Sequence, residues 1–213
     1  MKLLITAGPT REALDPVRYL TNRSSGKMGY ALAESAARLG HHDTLVSGPT
    51  VLDVPAGVDY LPVESAAEMY EAVRRHHGKC DAGIFAAAVA DYRPAHQATE
   101  KIKKTGETLT LELVRNPDIL ASARTEFGFQ GVLVGFAAET SDLEENARGK
   151  LQRKSCDLVI ANDVSKRGIG FDSDENEVLL VYPDRTEPLP RDTKEHLAHL
   201  IIDAIQELRI AGR

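Results

Sequence analysis

Four short runs constrain the fold more than anything else in this chain: KLLITAG (2–8), DAGIFAAAVA (81–90), GVLVGFAAET (131–140) and CDLVIAN (156–162). Each is apolar or small almost throughout, without the alternation of a half-exposed strand. Such strands are covered on both faces, the signature of a parallel sheet sandwiched by helices. Helical patterns lie between them. Met28, Ala31, Leu32, Ala36 and Leu39 share one face, and Gly40 ends that helix. SAAEMYEAVRRHHG carries a Ser65/Glu68 capping-box pair and a terminal Gly78. NPDILASARTEF reads as a helix with Asn116 as cap and Pro117 at its first position. SDLEENARGKLQRK offers a second capping box, Ser141 and Glu144. DTLVSGP and VDYLPV add two strands. This alternation predicts an α/β fold, a Rossmann-like, doubly wound, mostly parallel sheet. NEVLLVYPDRTEPL adds a C-terminal antiparallel hairpin, and RDTKEHLAHLIIDAIQELR an amphipathic closing helix. No linker, repeat or low-complexity stretch divides the chain, so 1–213 reads as a single domain.

A content of 42% hydrophobic residues suffices for a full core. A net charge of -6 argues against nucleic acid as a partner, so any phosphate site is a local cluster. No apolar run approaches the ~20 residues of a membrane span, and no signal peptide precedes the first strand, so no membrane role and a cytoplasmic location are expected. Cys80 and Cys156 stand outside any CxxC and precede apolar runs, which reads as two buried thiols. Neither HExxH nor zinc-ligand spacing occurs among the histidines.

The stretch YLTNRSSGKMG (19–29) resembles two phosphate motifs and satisfies neither. A P-loop needs Gly where Thr21 stands, and a hydroxyl residue where Met28 follows Lys27. The dinucleotide fingerprint is degraded to Ser24-x-Gly26-x-x-Gly29 and lies about 15 residues too far from the first strand. TLVSGP ends without the acid of an NAD site or the Arg of an NADP site. An NAD(P)-binding Rossmann-type reductase, or a nucleotide-binding module, is therefore the second reading. The first is an anion site at a helix N-terminus, with the Ser24 and Ser25 hydroxyls and Arg18, Asn22, Arg23 and Lys27 close in sequence. The alternative is a surface loop with capping serines.

The segments AAAVADYRP, RNPDIL, GFAAET and ANDV arrive at the same edge of the sheet, where ligands bind in such folds. Asp91 and Asn116 supply polar handles there. Residues 93–108 form a polar, basic excursion carrying Lys101, Lys103 and Lys104, either a mobile active-site flap or a solvated loop. Lys150 and Lys154 share a helix face at i, i+4. They are either polyphosphate ligands or a solvated basic stripe.

TAGPTREALDPVRYLTNRSSGKMG, AAAVADYRP, EKIKK, NPDIL, GFAAET and ANDV…GFDSDENEV, in this order, resemble phosphopantothenate–cysteine ligase of the bacterial CTP-dependent type. The resemblance runs from Ile5 to about Val178. It implies that 4'-phosphopantothenate and L-cysteine are joined through an acyl-cytidylate, giving 4'-phosphopantothenoylcysteine, CMP and pyrophosphate in coenzyme A biosynthesis. It implies CTP as co-substrate, Mg2+, and a homodimer with much of its interface from the late strands. Because Met1 lies just before the first strand, a stand-alone ligase without the flavin-dependent decarboxylase half, and hence no flavin, is expected. Position by position, the resemblance assigns Arg18, Asn22 and Ala88 to the phosphopantothenate side. It makes Asn22 and Lys101 the catalytic pair, Lys101 being the flap lysine. It assigns Phe85, Ala86, Ala87, Asp91, Lys101, Pro117, Asp118, Ile119, Leu120, Phe136, Lys150 and Lys154 to the nucleotide. Asp91 is also the candidate Mg2+ ligand.

Overall fold

A computed structural model of the chain describes residues 1–104, 106–165, 170 and 172–212. Residue 105 of the expected flap and residue 171 of the GFDSDENEV stretch lie outside the described residues. The chain runs β1 (Lys2–Ala7), β2 (Arg11–Asp15), β3 (Arg18–Thr21), α1 (Lys27–Arg38), β4 (His42–Ser47), β5 (Asp59–Pro62), α2 (Ala66–His76) and β6 (Ala82–Phe85). It continues with β7 (Tyr92–Pro94), β8 (Leu113–Arg115), α3 (Ile119–Thr125), β9 (Val132–Glu139), α4 (Leu143–Lys154), β10 (Leu158–Asp163), β11 (Glu175–Val181), β12 (Thr186–Thr193) and α5 (Lys194–Ile210).

Eight strands form one sheet in the order β12-β11-β10-β9-β6-β1-β4-β5. The six from β10 to β5 pair in parallel, and β11 and β12 close one edge antiparallel. The doubly wound sheet and its terminal hairpin are thus as the apolar runs predict. Along β1, Leu3, Ile5 and Ala7 face a layer built from Tyr30, Leu32 and Ala36 of α1 and Leu197, Ile201 and Ile205 of α5. Leu4 faces the other layer, with Met69 and Val73 of α2, Ile119 and Leu120 of α3, and Ala147 and Leu151 of α4. Both faces of the central strands are therefore covered, which is why their sequences do not alternate. No helix among the described residues is long and apolar enough to cross a membrane.

Two helix starts differ from expectation. Asp118, not Asn116, caps α3, its side chain accepting from the Ala121 amide at 3.0 Å. α4 starts from Asp142 in the left-handed region (φ 48) with no side-chain cap, so Ser141 and Glu144 form no box. The Ser65 cap on α2 stands, with the Glu68 amide at 3.2 Å.

The strand order reverses beside β1. The chain leaves it for β4 and β5 on one side and returns to β6 on the other. This switch point, at the carboxyl ends of β1 and β6, is where the fold leaves a crevice.

At the opposite end of the sheet, one carboxylate opposes the fold. Asp43 in β4 pairs with Leu3 and is fully buried, and neither of its oxygens has a hydrogen-bond partner among the described residues. Burial pushes its pKa up to about 7, and the nearby Asp59 adds to the rise. The folded state therefore binds a proton that the unfolded chain releases near pH 4, and stability falls as pH rises from about 4 to about 7. Asp43→Val is expected to raise stability at pH 8 by ~1–3 kcal/mol, allowing for solvent screening, with a smaller gain at pH 4, where only an unpartnered neutral carboxyl is removed. Urea midpoints of both proteins at the two pH values test this. An equal gain at both would mean that ionisation is not the cause.

Candidate active site

Beyond the sheet, the ends of β1 and β6 stay together. The Ala86 amide donates to the Thr6 carbonyl at 3.1 Å and the Ala88 amide to the Gly8 carbonyl at 2.9 Å. Thr10 then takes over, its amide donating to the Ala88 carbonyl at 3.3 Å and its Oγ1 accepting from the Ala90 amide at 3.0 Å. The stretch from Pro9 to Ser25, which reads as one polar loop, contains the antiparallel hairpin β2–β3. Glu12 within it is buried and accepts from the Ala66 amide at 3.0 Å, tying the hairpin to the start of α2. On the return strand, Thr21 Oγ1 donates to the Thr10 carbonyl at 2.7 Å, and Asn22 Nδ2 donates to the Ala88 carbonyl at 3.0 Å. The hairpin thus delivers Asn22 to the switch point, against Ala88, the pair that the motif resemblance puts on one side of the site.

The chain then enters α1. Its N-cap is Gly26 in the left-handed region (φ 80), with no side-chain cap, and Ser24 Oγ accepts from the Gly26 amide at 3.3 Å. A Cβ on Gly29 would lie 2.5 Å from the Ala7 Cβ, so only glycine lets α1 press this closely on the end of β1. A cavity of about 240 Å³ opens at this helix start, walled by Ser24–Gly29, Ala86–Val89, Phe136, Ala138, Lys150, Asn162, Gly170, Asn176 and Lys194. First-turn amides and hydroxyls at a helix N-terminus suit an anion. Lys27 is engaged within the protein, its Nζ 2.7 Å from both the Asp172 carbonyl and Asp174 Oδ1.

Lys194 and Asn176 belong to this wall and were missed in the sequence. Lys194 is buried, with Nζ donating to the carbonyls of Gly170 at 2.7 Å and Ser173 at 2.6 Å. Burial lowers its pKa to about 8, and the neighbouring positive charge of Lys27 adds to the effect. It passes for the first residue of an amphipathic helix. A cation there opposes the helix dipole, and that was the available signal. Asn176 is buried in β11 with its Oδ1 unpartnered among the described residues. Nothing in NEVLLV distinguished it from an edge-strand residue.

A larger cavity, about 740 Å³, adjoins the first through Ala87, Val89, Phe136 and Lys150, which border both. Phe85, Asp91, Pro117, Asp118, Ile119, Leu120, Arg153 and Lys154 also line it. Lys154 ion-pairs with Asp118 at the start of α3. Burial would raise the Asp118 pKa, but that contact and the Ala121 amide outweigh it and hold it below the usual range. Lys150 donates to the Phe136 carbonyl, and burial lowers its pKa. Both lysines therefore stand in the cleft wall. Asn116, relieved of capping, donates to the Ala90 carbonyl at 2.8 Å and accepts from Arg93 at 3.1 Å, pinning the strand after Asp91. Among the described residues, no three His, Cys, Asp or Glu side chains gather as a metal cage.

Arg18, Asn22, Arg23 and Lys101, all expected at the site, line neither cavity. The basic excursion lies along the hairpin, with the Ala98 amide 2.9 Å from the Leu14 carbonyl, and Arg18 Nη2 donates to the Ile102 carbonyl at 2.6 Å. Lys101, next to Ile102, is exposed. Of the two thiols, Cys156 is buried and Cys80 partly so, and both are free.

Residues 1–208 match the family described as DNA/pantothenate metabolism flavoprotein C-terminal domain. The coenzyme A biosynthesis bifunctional protein CoaBC of Vibrio parahaemolyticus is 52% identical over 208 residues, covering 97% of this chain and 52% of that protein. The protein of the same name from Escherichia coli K12 is 49% identical over 208 residues, covering 96% of this chain and 51% of that protein. The chain thus spans about half the length of the curated relatives it matches. Among solved structures, the crystal structure of the C-terminal domain of CoaBC agrees with a TM-score of 0.83 at 42% identity, covering 97% of this chain and 94% of that one.

Proposed function

Because the chain belongs to the family of the DNA/pantothenate metabolism flavoprotein C-terminal domain, we propose that it is a ligase of coenzyme A biosynthesis. It joins 4'-phosphopantothenate to L-cysteine at the expense of CTP. The observation that carries this reading is the two-lobed cleft at the switch point. One lobe ends on the bare N-terminus of α1, and the other is walled by Lys150, Arg153 and Lys154. A nucleoside triphosphate needs both a place for its base and sugar and a cationic, amide-rich place for its phosphates.

The chemistry needs no protein nucleophile. A carboxylate oxygen of phosphopantothenate attacks the α-phosphorus of CTP, forming an acyl-cytidylate, and pyrophosphate leaves. The cysteine amine, having lost its ammonium proton, attacks the acyl carbon; the amide forms and CMP departs. The chain's tasks are positioning and charge neutralisation. Asn22 and Ala88 hold the acid side and the intermediate, with Arg18 reaching it from the hairpin. Lys101 brings positive charge to the reacting phosphate. Mg2+ neutralises the phosphate oxygens when bound. It would take one or two carboxylates plus substrate phosphates rather than a protein cage, which suits the exposed carboxylate of Asp91 on the larger lobe, Asp118 there being paired with Lys154. The domain itself takes no flavin in this reading.

The active form is a homodimer in the same reading, and sedimentation should give twice the 23.2 kDa chain mass. Exposed Val17, Tyr19, Tyr92, Leu109, Leu111 and Leu113 gather on and beside the pairs β2–β3 and β7–β8. β11 and β12 instead bury Val178, Leu180 and Leu189 in their own core, so the small sheets suit a contact better than the late strands.

Incubation with 4'-phosphopantothenate, cysteine, Mg2+ and CTP should release pyrophosphate and form the amide. Release with ATP instead of CTP would correct the nucleotide alone. No release with any triphosphate, together with tight binding of NADPH, would replace the ligase with the reductase reading.

A further inference from the structure

The hairpin does more than deliver Asn22. At its tip the β2–β3 register slips between Ala13 and Asp15, and this bulge turns Asp15 inward. Its side chain has no solvent exposure. Oδ1 accepts from the amides of Val17 at 2.9 Å and Arg18 at 3.0 Å, which is all that the turn between the strands requires. Oδ2 is used differently. It accepts from Arg18 Nε at 3.0 Å, stands 2.7 Å from Arg18 Nη2, and accepts from the amide of Ile102 at 3.0 Å. Arg18 Nη2 in turn donates to the carbonyl of the same Ile102 at 2.6 Å. Both backbone polar groups of one residue, 87 positions away, are thus taken by a buried carboxylate and its partner guanidinium. A turn that only needed closing would leave Oδ2 to water.

We propose that Asp15 is a positioning residue, a latch that fastens residues 98–102 to the hairpin and so fixes where Lys101 stands. The latch itself follows from the contacts above, and its consequence for turnover rests on the ligase reading. Ile102 is the next residue to Lys101, so the backbone carrying the lysine is held on the element that also carries Asn22. Charge-assisted bonds to a desolvated carboxylate are strong enough to hold a polar excursion that buries little apolar surface. Burial alone would raise the Asp15 pKa; the amides of Val17 and Ile102 and the Arg18 guanidinium outweigh that and hold it below the ordinary value. The carboxylate therefore stays charged at neutral pH.

Asp15→Asn separates the latch from the turn. Its carbonyl keeps the Oδ1 contacts, while its amide presents N–H groups to the N–H of Ile102 and to Arg18. Trypsin acting on the folded variant should cut after Lys101 and Lys103 at least ~10-fold faster than in the parent, with cleavage elsewhere unchanged, since cleavage tracks the opened population. Ile102→Pro deletes the accepted N–H while Asp15 stays intact, and should give the same increase after Lys103. In pyrophosphate release, Asp15→Asn should lower kcat at least ~10-fold with KM for CTP changed little, and should cost nothing further in a Lys101→Gln background. Unchanged cleavage in both variants would overturn the latch. Additive losses in the double variant would overturn its link to Lys101. If the parent releases no pyrophosphate, the ligase reading fails, and cleavage alone decides the latch.

Discussion

Lys101→Gln is expected to slow pyrophosphate release by roughly a hundred- to a thousandfold, ~3–4 kcal/mol of transition-state stabilisation, while leaving the melting temperature unchanged. The two halves of this expectation have different origins. Lys101 is exposed and makes no ion pair among the described residues, so the fold does not depend on its charge. Its backbone is placed by Ile102, whose amide and carbonyl are engaged by Asp15 and Arg18 and are untouched by a side-chain change at 101. Glutamine keeps most of the length and the polarity and removes only the charge. In the proposed reaction, charge builds on the phosphate as pyrophosphate leaves, and a positioned ammonium is worth most at that moment. The cysteine step lacks that leaving group, so chemically supplied acyl-cytidylate should be aminolysed by the variant far more nearly at the parent's rate. Turnover within ~3-fold of the parent would make Lys101 a solvated bystander and leave Lys150, Arg153 and Lys154 as the cations of the site.

The parts of this molecule that were legible in the sequence are those where one force decides. Strands covered on both faces must be apolar throughout, so KLLITAG, GIFAAAVA and DLVIAN announced a parallel sheet and, with it, the edge where ligands bind. The small residues of the AAAVA stretch followed from the need of two backbones to run together past the sheet, as Ala86, Ala88 and Ala90 do. What was not legible depends on competition between similar groups. Asn116 and Asp118 are both good caps two residues apart. Asp118 caps because Asn116 has two other partners, Ala90 and Arg93, that no local pattern reveals. The β2–β3 hairpin was hidden because REALD and RYLT carry charge on nearly every other residue. The hairpin is fastened to its surroundings by buried carboxylates, Glu12 on Ala66 and Asp15 on Ile102, rather than by an apolar face. Lys194 and Asn176 reach the site from elements whose patterns are explained by the core alone. The spacing of Lys150 and Lys154 left polyphosphate ligands and a solvated stripe both open, because their environment is set by the distant Phe136 carbonyl and by Asp118.

Gly48→Ala should be the most damaging single methyl group in the chain, costing at least ~3–5 kcal/mol of stability. Gly48 follows β4 directly, its amide 3.0 Å from the Ala7 carbonyl. A Cβ there would stand 1.8 Å from the Pro9 carbonyl oxygen and 2.7 Å from its carbon. Both atoms are backbone, so no rotamer change relieves the overlap, and one of the two chains must move. Moving Pro9 also moves Thr10, whose amide and hydroxyl hold Ala88 and Ala90 and whose carbonyl receives Thr21. Asn22 on Ala88 would lose its setting in the same displacement. The variant therefore faces two outcomes from one clash: a lowered urea midpoint if the strands stay in place, or a displaced hairpin with lost turnover if they yield. Gly78→Ala is the control, because its added Cβ meets nothing within 4 Å and its φ is not left-handed. It should change the midpoint by less than ~0.5 kcal/mol. A Gly48→Ala protein with both the parent's midpoint and the parent's rate would mean that the ends of β1 and β4 are not held as closely as the cleft requires.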